Sequence, residues 1–345
     1  MIQTAIIGDG YTAAELVRLL AGHGGACVAA ITSTEHIGRR FDEVYPQLTG
    51  MTDIVLEPTD SAALAGRVQA VFLALPHGLS VPIVGELVKR GIRCVDLGAD
   101  FRLQDPAVYQ AHYHLEHKNV DLLARAVYGL PEIYREKICG ADVVANPGCY
   151  PTSAILALAP LLKANLIAER GIIVDSKSGV SGAGRGLALS SHFCEANEGV
   201  KAYSVGTHRH RPEIEQELSH AAQKPIKITF TPHLIPMSRG MLSTAYADLL
   251  PGVSAARVRE AFEAAYTDEP FVRLLPPGTF PQTKWTYGSN YAFIGVHVAE
   301  EEGRVIVVSA IDNLTKGASG QAVQNLNLMF GLPETQGLLT PGVSP

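Results

Sequence analysis

At 345 residues the chain exceeds the ~100–200 expected of one compact domain, and 47% hydrophobic against 18% charged residues excludes a disordered or collagen-like state. A net charge of -6, from 28 Lys plus Arg against 34 Asp plus Glu, argues against a nucleic-acid partner, whose affinity would come from neutralised phosphates. The five cysteines lie far apart without a CxxC pair, and no apolar run reaches the ~18 residues of a membrane span. The expectation is a soluble, unexported, cytoplasmic protein with no disulfide framework, no metal and no membrane contact.

Taken in chain order, the apolar run Ile2 to Gly8 ends in glycine, and Ala13, Leu16, Val17 and Leu20 then recur at helical spacing, which predicts strand, turn, helix. Short apolar runs follow at Cys27–Ile31, Val68–Leu75, Arg93–Leu97 and Val143–Ala145, with a helical pattern over Val81–Lys89. Such alternation predicts an α/β, Rossmann-type, doubly wound parallel sheet. Beyond residue 150 the helical stretch Thr152–Leu162 leads into Ile172–Asp175, Ile226–Thr231, Leu242–Leu249, Tyr291–Val298 and Val305–Ile311, read as strands, with helices at Pro212–Ala222 and Ala255–Tyr266. A second, α+β domain on a largely antiparallel sheet is expected. The boundaries are residues 1–147 for the dinucleotide-binding domain, completed by the C-terminal stretch 315–345, and 148–314 for a catalytic and dimerisation domain. The last helical pattern spans Gly317 to Met329, and a homodimer or homotetramer is expected.

Gly8-Asp9-Gly10-Tyr11-Thr12-Ala13 is a G-x-G-x-x-A turn between the first strand and helix, where glycines admit a pyrophosphate to the helix N-terminus. After the second strand an NAD enzyme usually carries an acid for the ribose hydroxyls; here Ser33 and Thr34 are followed by Arg39 and Arg40, which suit a 2′-phosphate and predict NADP(H), with Glu35 as the dissenting residue. Pro76, His77 and Gly78 end a strand and are expected to line the cofactor crevice.

Asn146-Pro147-Gly148-Cys149-Tyr150-Pro151-Thr152 places Cys149 at a helix start, where the macrodipole favours a reactive thiolate and backbone N–H groups can hold an oxyanion. Cys27, Cys94 and Cys139 read as buried small hydrophobes. Thr207-His208-Arg209-His210-Arg211-Pro212-Glu213 supplies the acid/base: in an extended segment His208 and His210 share a face, Pro212 opens a helix, and Glu213 orients a histidine. Ser178, Gly179 and Gly182, in a Gly-rich segment ending at Arg185, offer backbone donors to an anionic substrate or to the nicotinamide end, and Asn313 a hydrogen bond to a carboxamide or a helix cap.

These motifs resemble those of the N-acetyl-gamma-glutamyl-phosphate reductases, relatives of the aspartate-semialdehyde dehydrogenases, over nearly the whole chain. The matching stretches include Leu75-Pro76-His77-Gly78, Ala99-Asp100-Phe101-Arg102-Leu103, Asn146 to Thr152, Ser178 to Arg185, His208 to Ile214 and Pro232 to Gly240. The resemblance implies reduction of an acyl-phosphate substrate to a semialdehyde in arginine biosynthesis. Cys149 carries the thioester; His210, helped by Glu213, moves the proton, with His208 as second choice; Arg102, Asn146 and Arg185 hold the substrate. One departure is Asp9-Gly10, where the family commonly reads Ala-Ser-Gly, which bears on cofactor affinity. Competing readings are a reductase of an N-acyl-aminoadipyl or aspartyl phosphate and, from another class, a non-catalytic NADP-binding redox sensor.

Overall fold

The computed structural model describes residues 1–344, which form two compact units: Met1–Pro147 with Ala318–Leu339, and Gly148–Gly317 with the chain from Thr340 onward. The first unit is built on strands β1 (Ile2–Ile7), β2 (Ala26–Thr32), β3 (Ala70–Leu73), β4 (Arg93–Asp96), β5 (Val127–Tyr128) and β6 (Val143–Ala145). All neighbours pair in parallel, in the order β2-β1-β3-β4-β6-β5. Buried on both faces, these strands are continuous apolar runs rather than alternating ones. Ala5, Ile7, Val71, Leu73 and Cys94 form one core with Val84 and Leu87 of the helix Ser80–Lys89.

The C-terminal helix is Gly320–Met329, not the full Gly317 to Met329 pattern, because Thr315–Ser319 winds as a separate π-type turn. Every residue of that helix is buried, including Gln321, Gln324, Asn325 and Asn327. Burial of so many amides is tolerable only when they are bonded. Asn325 Nδ2 donates to the Gly129 carbonyl (2.9 Å) and Asn146 Oδ1 (3.0 Å), and Asn327 Oδ1 meets His23 Nε2 at 2.9 Å.

The second unit carries β7 (Ile172–Ser178), β8 (Lys201–Ala202), β9 (Ile228–Leu234), β10 (Met241–Asp248), β11 (Val272–Leu274), β12 (Ala292–Ala299) and β13 (Arg304–Ile311), in the order β11-β12-β13-β10-β7-β9-β8. Antiparallel pairing dominates, but β7–β9 and β11–β12 are parallel. Met241, Ser243, Ala245 and Ala247 are the buried residues of β10, the period of two expected of a sheet with one packed face. The helix Cys149–Lys163 lies on β10 and β13, and the helices His210–Ala222 and Ala255–Tyr266 pack against it. Tyr266 Oη, for example, donates to the Leu156 carbonyl at 2.7 Å. No helix among the described residues is long and apolar enough to cross a membrane.

Candidate active site

Cys149 is the first residue of its helix and half-buried. Gly148 caps that helix with extended backbone and no side-chain hydrogen bond, so the positive end of the helix is left for a negative charge. Pro151 has no N–H and the Thr152 amide is bonded to the Gly148 carbonyl (2.9 Å), so first-turn donors to an oxyanion come from the amides of Cys149 and Tyr150. Two contacts fix the backbone around Cys149. Glu213, 1% exposed, accepts from the Gly148 amide through Oε1 at 2.9 Å. Gly317 lies so close that a Cβ there would come within 2.7 Å of the Cys149 Cβ.

The two histidines come together, but not by the route expected. The segment is not extended: His210, rather than Pro212, begins the helix, and its amide donates to His208 Nδ1 at 3.1 Å. The helical turn still brings the rings to 4.9 Å between centroids. His208 sits edge-on to Tyr150 (5.4 Å), Tyr203 (5.5 Å) and Phe230 (5.4 Å), and burial, aided by the Arg209 charge, pushes its pKa down to about 4. It is therefore neutral at pH 7. Tyr150 and Tyr203 share a hydrogen bond of 2.9 Å between hydroxyls, and burial raises both phenol pKa values, Tyr203's to about 12. Glu213, expected to orient a histidine, has its described bond on the Gly148 amide, so its carboxylate braces the helix that carries the thiol.

The Gly-rich segment after β7 is spent on internal structure. The amides of Gly179, Val180 and Ser181 donate to the carbonyls of Gly240 (2.9 Å), Met237 (2.9 Å) and Ser238 (3.1 Å), and the Gly182 amide to Gly179 (3.2 Å). A Cβ at Gly179 would lie 2.8 Å from the Ser238 oxygen, so glycine there permits two backbones to meet. The expectation that these donors serve an anion is corrected. Ser178 Oγ likewise donates to the Gly179 carbonyl at 3.1 Å. Asn313 is neither a helix cap nor an open amide: Oδ1 accepts from the Gly240 amide (2.7 Å) and Nδ2 donates to Ser181 Oγ (2.9 Å). Arg185 is exposed on the same segment.

Sequence reasoning missed the centre of this scaffold. Asp312, wholly buried, accepts from Arg239 Nε (3.0 Å) and Nη2 (3.1 Å) and from the amides of Gly288 (2.7 Å), Leu314 (2.8 Å) and Thr315 (3.1 Å). Its own carbonyl takes the Gly317 amide at 2.9 Å, which sets the turn that touches Cys149. The signal was an Asp and an Arg in short polar motifs 73 residues apart, a pairing that no local pattern reveals.

In the first unit, Gly8 has φ +111, and a Cβ there would lie 2.4 Å from the Ala74 oxygen, so only glycine fits against the end of β3. Gly10 caps the helix Tyr11–Ala21 without any side-chain bond, and a Cβ there would meet nothing within 4 Å. That open cradle over bare N–H groups fits the pyrophosphate of a dinucleotide. Tyr11 is exposed, the Thr12 carbonyl accepts from Ser319 Oγ (2.9 Å), and Ala13 is buried. Pro76 is exposed and His77 half-buried against Tyr113, while Gly78 donates its amide to Asp100 Oδ1 at 2.7 Å. Ser33 Oγ donates to Asp9 Oδ2 at 2.6 Å, and Arg39 reaches the Glu43 carbonyl at 3.3 Å.

Two substrate residues expected here have structural duties. Arg102, 6% exposed, donates through Nε to the Asn146 carbonyl and through Nη2 to the Leu97 carbonyl, each at 2.8 Å, and Asn146 Nδ2 donates to the Ala318 carbonyl at 3.0 Å. Both brace the backbone at the end of β6. Among the cysteines, Cys94 is buried as expected, with its thiol pKa raised by burial, whereas Cys139 is exposed just past the helix Pro131–Ile138.

A parallel dinucleotide-type unit and a cysteine–histidine unit on a mixed sheet define an oxidoreductase of the semialdehyde dehydrogenase class. The family described as semialdehyde dehydrogenase, NAD binding domain, matches residues 3–141, and the one described as semialdehyde dehydrogenase, dimerisation domain, matches residues 149–313. Among solved structures, aspartate semialdehyde dehydrogenase II from Vibrio cholerae superposes with a TM-score of 0.72 over 95% of this chain and 98% of that one at 17% identity. The aspartate semialdehyde dehydrogenase from Candida albicans solved with NADP gives 0.66 at 13% identity, over 95% and 98%. Closer in sequence are curated proteins named N-acetyl-gamma-glutamyl-phosphate reductase, from Moorella thermoacetica (54% identity over 346 residues) and Heliobacterium modesticaldum (52% over 351), each covering 100% of both chains. This chain belongs to the N-acetyl-gamma-glutamyl-phosphate reductase family.

Proposed function

We propose that the protein reduces N-acetyl-gamma-glutamyl phosphate to N-acetyl-glutamate 5-semialdehyde and phosphate, a step of arginine biosynthesis, with NADPH as reductant. The observation that carries this reading is Cys149 at an uncapped helix start, with His208 and His210 brought together in the same unit, on a chain whose full-length relatives bear that name. The Cys149 thiolate attacks the acyl carbonyl, the carbon–oxygen bond to phosphate breaks, and phosphate leaves a thioester on sulfur. The amides of Cys149 and Tyr150 serve the charge that develops on oxygen. Reduced nicotinamide, when bound, supplies the hydride that converts the thioester carbonyl to a thiohemiacetal. His210 passes the proton at the oxygen, and collapse of the adduct returns the thiolate and releases the aldehyde. His208, uncharged and accepting from the His210 amide, acts as a positioning residue.

NADPH is favoured by the positive charge of Arg39 and Arg40 after β2 and by the fold's occurrence with NADP in the Candida albicans protein. A substrate role remains proposed at Arg185. A cytoplasmic homodimer or homotetramer completes the reading, supported by the dimerisation-domain match. The test is NADP-linked, phosphate-dependent oxidation of N-acetyl-glutamate 5-semialdehyde by the wild type and by Cys149→Ser. Loss of turnover in the variant is expected; undiminished turnover overturns the thioester route, and wild-type activity only on aspartate semialdehyde or its aminoadipate homologue reassigns the substrate.

A further inference from the structure

The Gly-rich turn of the first unit holds a carboxylate where a phosphate-bearing ribose is expected. Asp9 Oδ2 accepts from Ser33 Oγ at 2.6 Å and from His36 Nδ1 at 2.7 Å, and the Tyr45 hydroxyl pins the Asp9 carbonyl at 2.9 Å. Ser33 Oγ in turn accepts from the amides of Glu35 (3.1 Å) and His36 (2.9 Å). A serine hydroxyl has one proton and two lone pairs, so Ser33 is fully engaged, and its only proton belongs to Asp9. Burial alone would raise the Asp9 pKa, but the bonds from Ser33 and His36 outweigh it and hold the group below its ordinary value, so it is ionised at neutral pH. Nearby cations are themselves paired: Arg40 with Asp42 at 2.7 Å, and Arg39 with Glu43 at 3.8 Å.

In this fold the adenosine ribose lies at the end of the second strand, where a carboxylate accepts from the ribose hydroxyls of NAD and a cation meets the 2′-phosphate of NADP. This chain brings the carboxylate from the glycine turn itself. We propose that Asp9 is a cofactor-discriminating residue that narrows the preference for NADPH, withholding the Ser33 hydroxyl from a 2′-phosphate and offering an acceptor to the 2′-hydroxyl of NADH. The proposal rests on the dinucleotide-binding reading of the turn and not on the acyl-phosphate chemistry.

The experiment is titration calorimetry of the full-length protein with NADPH, NADH, 2′,5′-ADP and 5′-AMP, for the wild type, Asp9→Asn, Ser33→Ala and the double variant. Asp9→Asn is expected to tighten NADPH and 2′,5′-ADP by about tenfold, the scale of one charge–charge contact at a half-exposed site, while NADH and 5′-AMP do not tighten. Ser33→Ala is expected to leave NADPH within about twofold in the wild-type background but to weaken it severalfold in the Asp9→Asn background, where the hydroxyl is released. A ratio of NADPH to NADH affinity that Asp9→Asn leaves unchanged or lowers overturns the proposal, as does additive behaviour of the two substitutions. Absence of binding by all four nucleotides overturns the dinucleotide-binding reading itself, and the proposal with it.

Discussion

Replacing Gly317 with alanine probes the packing of the nucleophile. The added Cβ would lie 2.7 Å from the Cys149 Cβ, 3.2 Å from its Cα and 3.3 Å from the Asp312 oxygen. Carbon atoms settle at about 3.5–4.0 Å, so the two backbones must part by roughly 1 Å. None of these atoms is the end of a flexible side chain. On one side the turn is tied to Asp312, which Arg239 holds with two bonds; on the other, the helix start is tied through the Gly148 amide to Glu213. Overpacking of this kind costs about 1–3 kcal/mol, and a displacement near 1 Å at a reacting atom can lower turnover by about 10²-fold. Gly317→Ala is therefore expected to lose one to two orders of magnitude in kcat in the semialdehyde oxidation assay, with a Tm lower by a few degrees. Gly186→Ala, where a Cβ meets nothing within 4 Å, serves as the silent control. Activity of Gly317→Ala within threefold of wild type, at unchanged Tm, refutes the argument that this glycine places the thiol.

Two further expectations concern titrating groups. Because His208 is neutral and accepts from the His210 amide, His210→Asn is expected to lose more kcat than His208→Asn, measured in the same assay; the reverse order moves the proton transfer to His208. The pKa of Asp96, wholly buried in β4, is raised from 3.8 to about 7, first by burial and then by the Asp100 charge, against the opposing bond from Ser80. The unfolded chain releases this proton near pH 4 and the folded chain only near pH 7, so ionisation of Asp96 removes stability as pH rises between those values and the loss is complete above about 7. Asp96→Asn keeps an acceptor for Ser80 and Gly98 and is expected to raise the Tm at pH 8 while changing little at pH 4, with a ceiling of about 4 kcal/mol. Equal effects at both pH values contradict that assignment.

Periodicity carried the long elements. The pattern over Ala255–Tyr266 coincides with its helix, capped by the Ser254 hydroxyl on the Arg257 amide, because an apolar stripe at helical spacing has few other solutions. The three short helices Pro106–Tyr113, Val120–Arg125 and Pro131–Ile138 escaped notice, although Asp105 and Asn119 cap the first two through side-chain oxygens. Segments this short leave too few apolar positions to declare a period, and there the caps are the stronger signal. The helix Gly320–Met329 was visible and expected with the first domain, but its depth was not, since four of its buried side chains, Gln321, Gln324, Asn325 and Asn327, are amides, a composition that reads as exposed. At the site, the helix start at Cys149 and the nearness of His208 and His210 were legible because each depends on a local feature, a strand-to-helix turn or a short motif. Arg102 and Asn313 were misread for the opposite reason. Each resembles a ligand in its motif, and only the partners folded onto it, the carbonyls of Asn146 and Leu97 or the Gly240 amide, show that its hydrogen bonds are already taken.

That contrast divides the polar groups of the second unit by exposure. Glu213 and Asp312 are almost fully buried, and both accept from backbone amides on segments distant in sequence, so each carboxylate holds loops together. Polar groups at such depth are retained only when hydrogen bonds replace water, and here those bonds converge from both sides on Cys149: Glu213 behind the helix start, Asp312 behind the Gly317 turn. The thiol itself is half-buried, open enough to meet a substrate. Buried, hydrogen-bonded side chains around one accessible nucleophile are the arrangement that preorganisation requires, since the group that reacts must be reached while the groups that position it must not move. It also makes the scaffold more sensitive to Asp312→Asn than the ion pair with Arg239 alone suggests, because the same carboxylate carries three amides besides.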